Sequence, residues 1–145
     1  MLFRSPQALV LYSDAIMNSM PWDYWNKDGS PKAGTIKART ALESALKKFP
    51  RHPGAHHLYI HLVEASNKPS DALNSALFLD NAMPKAGHIV HMPSHIYARV
   101  GEYERSNTSN VNAIKADEEF LAESEDQGFY RICVKACAQY VRPWA

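Results

Sequence analysis

The chain has 145 residues, 46% of them hydrophobic, and sets 16 Lys and Arg against 15 Asp and Glu. That is enough apolar material for one core or a short repeat array, while the even charge argues against a nucleic-acid or acidic-lipid surface and no apolar run approaches the ~20 residues of a membrane span. Cys133 and Cys137 form no disulfide framework, so a reducing, cytoplasmic setting is the expectation.

Ser5-Pro6 reads as a cap followed by a first-turn proline, opening an amphipathic helix that runs to about Met20. Asp14 interrupts its apolar stretch and no small-residue cleavage pattern follows, which argues against a signal peptide. Pro21 stops the helix. Pro21-Trp22-Asp23-Tyr24-Trp25 and then Asp28-Gly29-Ser30-Pro31 make a loop with an aromatic knot, which is either a recognition lid or a plug for the first helix pair. A second helix spans about 34–48, with Ile36, Leu42, Ala45 and Leu46 expected on one side. Phe49-Pro50 and His52-Pro53 mark the next break. Further helices are expected at about 54–66, 70–82, 87–100, 103–117 and 124–140, and the short breaks favour antiparallel neighbours. Pro93 falls inside the fifth of these seven and predicts a kink or a late start, because it lacks an amide hydrogen and its ring meets the carbonyl of Ile89. Cys133 and Cys137 lie on one side of the last helix with no third metal ligand nearby.

A period of 34 residues runs through this pattern. Ala38, Ala72 and Ser106 are all small, Ala45, Leu79 and Ala113 are all apolar, and Pro50 and Pro84 both follow a helix. Two antiparallel helices and their turns consume about that length, and close helix crossings need small side chains at fixed points. The fold expected is therefore all-α, a solenoid of antiparallel helix pairs forming a single domain over 1–145. Its repeats would cover about 1–52, 53–86 and 87–120, with a terminal helix at about 124–140.

Tyr97-Ala98-Arg99-Val100-Gly101-Glu102-Tyr103, with Ala113 ten residues beyond Tyr103, resembles the tetratricopeptide repeat family. The repeat at 53–86 keeps Ala72 and Pro84 but has Asn67-Lys68-Pro69 in place of Gly-x-Tyr. Three longer strings (17–25, 52–66 and 88–97) look like a bacterial group of larger, uncharacterised tetratricopeptide-repeat proteins. The resemblance implies a piece of a longer array with an altered tail, or a member that has diverged from the group. Members of that group follow a Gly-x-Tyr such as Gly128-Phe129-Tyr130 with a proline and a His-Asn-x-His segment, whereas here Arg131-Ile132-Cys133-Val134-Lys135-Ala136-Cys137 follows.

All seven histidines fall between His52 and His95. His57 and His91 are one period apart, as are His61 and His95, and within each helix the two are one turn apart on one face. The resemblance implies that the first helix of each repeat lines a concave groove, which places His57, His61, Glu64, His88, His91, His95 and Arg99 on or near it. Two chemistries suit that face. One is a scaffold for a protein or peptide partner, although the Lys, Asn and Arg of the familiar carboxylate clamp are replaced here by histidines. The other is a site for Zn or another divalent transition metal, held by His57, His61, His91 and His95, in a metal-binding protein or a hydrolase-like enzyme. Glu64 would then be a ligand, a hydrogen-bond partner of one, or a base for bound water. Histidines that merely hydrogen-bond between helices would need neither. Arg99 can hold a ligand carboxylate, pair with Glu64 or lie free on the surface. His52 and His56 read as peripheral. A third reading is architectural, with a homodimer formed through the exposed repeat ends.

Overall fold

A computed structural model describes residues 5–123. The helix expected at about 124–140, with Cys133 and Cys137, lies outside them. Every regular element described is helical, and none is long and apolar enough to cross a membrane. The elements are α1 (Pro6–Asn18), α2 (Ala33–Lys48), α3 (Pro53–Val63), a 3-10 turn (Pro69–Ala72) leading into α4 (Leu73–Leu79), α5 (Gly87–His91), α6 (Pro93–Val100) and α7 (Tyr103–Glu123).

Consecutive helices pack together. α1 lies on α2, α2 on α3, α3 on α4, and α5 and α6 both lie on α7, while α3 also touches α1 and α6. Leu42, Ile60, Leu62, Val63, Leu79, Met92, Ile96 and Tyr97 are fully buried along this stack, and each large apolar side chain removed from water contributes about 1.5–3 kcal/mol. The small residues of the 34-residue period sit where helices meet. Ala38 and Ala72 are wholly buried. Ser13 Oγ of α1 lies 2.9 Å from Leu9 O and 3.2 Å from Ala38 O, and Ser106 Oγ of α7 donates to Ser94 O of α6 at 3.1 Å.

Four boundaries differ from the sequence expectation. α3 ends at Val63 because Glu64 already caps it and the chain tightens, with Ser66 N donating to Val63 O. The fourth helix begins as a 3-10 turn at Pro69 and is α-helical only from Leu73. The expected helix 87–100 divides at Met92, before Pro93. α7 runs past 117 to Glu123, since no proline or glycine stands between Lys115 and Glu123 to stop it. Ile36 is also not on the packed side of α2. It is 54% exposed, whereas Thr35, Ala38, Ala41, Leu42 and Ala45 are buried. Six residues at about 100° each turn Ile36 well away from Leu42.

The aromatic loop closes over one end of the stack. Tyr24 is buried, its carbonyl accepts from Thr35 Oγ1 and from Lys32 N, and Lys32 pairs with Asp23. Trp25 Nε1 donates to Leu62 O at 2.8 Å, satisfying one of the carbonyls that the end of α3 leaves unpaired. α6 ends differently, in Gly101 at φ 87°, where the amides of Gly101 and Glu102 both return to Tyr97 O. A Cβ at Gly101 would meet nothing within 4 Å, so an alanine there bears only the left-handed backbone cost. Gly101→Ala should lower the unfolding free energy by about 1–2 kcal/mol, read from urea midpoints at unchanged slope; an unshifted midpoint would mean that this turn does not anchor α6.

Candidate histidine site

Two segments supply the site, α3 and the consecutive helices α5 and α6. His52 caps the start of α3, its Nδ1 accepting from Ala55 N at 3.2 Å, and Pro53 supplies the first helical position. α3 then presents His57, His61 and, at its C-cap, Glu64. The spacing i, i+4, i+7 keeps all three on one face. α5 and α6 present His88, His91 and His95 at i, i+3, i+7. Pro93 lies between the last two, yet Met92 keeps helical dihedrals (φ −53°, ψ −38°), and Met92 N→Ile89 O and His95 N→Met92 O are three-residue bonds of 3.3 Å each. The proline therefore tightens the helix without turning His95 away from His88 and His91.

The imidazoles close a circuit. Ring centroids lie 4.9 Å apart for His57 and His61, 5.4 Å for His61 and His95, 4.7 Å for His95 and His91, 6.3 Å for His91 and His88, and 4.9 Å for His88 and His57. On the closing side of the circuit, His57 Nε2 and His88 Nε2 are 3.0 Å apart. Two ring nitrogens meet at that distance only if one carries the proton and the other a lone pair, or if both face one cation.

Oxygen acceptors fix the other rings. Glu64 Oε1 lies 3.3 Å from His61 Nδ1 and Oε2 lies 2.5 Å from His95 Nδ1, while Asn110 Oδ1 of α7 is 2.7 Å from His91 Nδ1. Each of these oxygens accepts, so each Nδ1 donates, and the Nε2 lone pairs of His61, His91 and His95 stay available. Burial, with His61, His88 and His95 adding repulsion, pushes His57 down to about 4. Burial also lowers His88 and His91. Burial alone would raise Glu64, but hydrogen bonds from His61 and His95 outweigh it and hold the carboxyl at about 2.

Two groups of three donor atoms lie within 4.8 Å of one another, His57/His61/His88 and His61/Glu64/His95. His57, His61, His88, His91, His95 and Glu64 thus come together. Arg99 does not join them by any contact to Glu64, whose two oxygens go to His61 and His95, and Arg99 is exposed. His91, expected among four metal ligands, is turned by its Nδ1 toward Asn110, and His88 lies beside His57. His56 is buried on another face, bonded to Ser75 Oγ and Pro50 O and stacked on Phe78. Asn110 and Trp22 border the site, and no sequence expectation had set either beside these histidines. Trp22 stands edge-on to His61, with ring centroids 5.4 Å apart at 84°. Asn110 lies one turn before Ala113, so the period could have put it on the α6 side of α7. Two clefts along α7, lined by Asp80, Asn81, Val90 and Asn112, hold none of these histidines.

No protein-family model, curated protein or solved structure matches the chain.

The lowered His57 and Glu64 values make the metal-free protein acid-sensitive. The unfolded chain binds more protons than the folded one, first through His57 as pH falls from about 6.5 toward 4, then through Glu64 from about 4.5 toward 2. Stability should therefore rise with pH across each window. In the presence of chelator, the melting temperature should drop between pH 7 and pH 4, and His57→Gln should flatten the upper part of that drop. A profile level between pH 7 and pH 4 would contradict the lowered value of the half-buried His57.

Proposed function

We propose that this chain is a helical scaffold of the tetratricopeptide type that holds one divalent transition-metal ion between its second and third helix pairs. His57, His61 and His88 are the ligands. The repeat reading is supported by the buried small residues Ala38 and Ala72 and by the serine contact at Ser106, one period apart. The metal reading rests on one observation, the 3.0 Å approach of His57 Nε2 and His88 Nε2 with His61 in the same group. Ions bound at about 2.0–2.1 Å to two tetrahedral nitrogens hold them about 3.3 Å apart, close to the spacing already present. His57 and His88 are both pushed below the ordinary imidazole value, which favours coordination over protonation, and an imidazole set suits Zn, Cu or Ni rather than Mg or Ca.

The second group, His61/Glu64/His95, has a different explanation. Its short distances are those of Nδ1–H donors on a carboxylate, so Glu64 is better placed to orient the rings of His61 and His95 than to bind the ion. A partner groove on the same face, also implied by the resemblance, fits less well. The imidazoles there are bonded to one another, to Glu64 and to Asn110, and do not project toward a peptide.

Chelator-stripped protein titrated with Zn²⁺ should bind close to one equivalent, by calorimetry and by elemental analysis. His57→Ala combined with His88→Ala should abolish binding, while Glu64→Gln should weaken it by about 10–100-fold. His52→Ala, at the far end of α3, should leave it unchanged. Stoichiometry near zero for the parent protein would return the histidines to a purely structural role.

A further inference from the structure

Trp22 is the one non-glycine residue of positive φ among those described, at 59°, and it is 71% exposed, whereas its loop neighbour Tyr24 is buried and Trp25 is half-buried. A bulky side chain rarely adopts this conformation, and it persists only where the surroundings impose it. Here they do. Tyr24 is locked on its far side by its own burial and by the bonds of Thr35 and Lys32 to its carbonyl, Asp23 pairs with Lys32, and Trp25 is tied to the carbonyl of Leu62, next to His61. The result is a large indole left in water, held edge-on to His61 at the rim of the histidine circuit. Neither core packing nor a hydrogen bond from its own ring accounts for that placement.

The ligand set has a matching opening. Among the described residues no fourth donor atom joins His57, His61 and His88 within 4.8 Å, and an ion held tetrahedrally by three protein ligands keeps an exchangeable position. Three neutral nitrogens leave the charge of a dication uncompensated within the set, with Glu64 the single carboxylate touching it, so the open position favours an anionic oxygen donor. Small-molecule sites combine a few such polar anchors with an apolar wall, and Trp22 supplies the wall.

Resting on the metal reading above, we infer that the open position takes the carboxylate of a small organic acid whose apolar, aromatic body packs against Trp22. The site is then a receptor for an aromatic carboxylate and not merely a store for the ion.

The test uses Co²⁺-loaded protein, whose visible absorption reports the coordination of the ion, titrated with benzoate and separately with acetate. Both should change the spectrum, with benzoate binding about three- to tenfold more tightly because only it can stack on the indole. Trp22→Ala should keep the cobalt stoichiometry and the acetate affinity but lose the benzoate preference, and Trp22→Phe should restore most of it. Because Trp22 is exposed, the alanine variant is expected to fold, which an unchanged circular-dichroism melt would establish. Equal affinities for the two acids, or a preference that survives Trp22→Ala, would overturn the inference while leaving the metal site standing. A cobalt spectrum indifferent to both acids would overturn it too, and failure to bind cobalt at all would overturn the metal reading together with it.

Discussion

The carboxylate of Glu64 joins two helices that the rest of the site depends on. One oxygen takes the Nδ1 of His61 from its own helix, and the other takes the Nδ1 of His95 from α6. The side chain of Glu64 is only 17% exposed, so an unpaired charge there would be costly; with both oxygens satisfied it becomes a clamp. It sets which nitrogen of each ring carries the proton, and it sets the distance at which α3 and α6 face one another. His57 of α3 and His88 of α5 meet at 3.0 Å, and α5 is carried along because it runs into α6 through Met92. Removing the carboxylate would free two rings and loosen the contact of the other two.

Around that clamp the fold divides its labour. α7 braces the second element from behind: Asn110 fixes His91, and Arg105 reaches both Tyr97 Oη at 2.8 Å and Asp80 Oδ2 at 3.3 Å. The aromatic loop braces the first element from its end, through Trp25 and the carbonyl of Leu62. Of the two roles that its sequence left open, the packing of the loop matches the plug. Tyr24 and Trp25 plug the stack, and Trp22 overhangs the histidines. Side chains that need a common orientation are thus carried on helices, whose rotations are fixed by packing, while the one exposed aromatic is carried on a loop anchored at several points.

Much of this was legible in the sequence because helices write their faces at fixed spacing. The breaks at Pro21, Pro50 and Pro53, the small residues one period apart and the matched pairs His57/His91 and His61/His95 can all be read from local residue types and spacing. Glu64 follows too, one turn beyond His61. What was not legible depends on neighbours distant in the chain. No local pattern says that Asn110 will accept from His91, that His88 will reach His57 rather than solvent, or that Glu64 will turn from Arg99 toward His95. Ile36 was misplaced for a simpler reason, since its spacing from Leu42 does not fit one helical face. Pro93 was expected to kink or delay its helix, but that the helix would divide there while Met92 stayed helical and kept His95 in line needed the backbone itself.

Two properties define the proposed site: the Nδ1 protons that Glu64 and Asn110 hold on His61, His91 and His95, and one ion shared by His57, His61 and His88. Nitrogen-15 NMR of histidine-labelled protein reads both properties at once. The metal-free spectrum should show His61, His91 and His95 protonated at Nδ1, and one equivalent of Zn²⁺ should shift the Nε2 signals of His57, His61 and His88 while leaving His52 and His56 where they were. If zinc moved none of these signals, or moved those of His52 and His56 instead, the account would be contradicted.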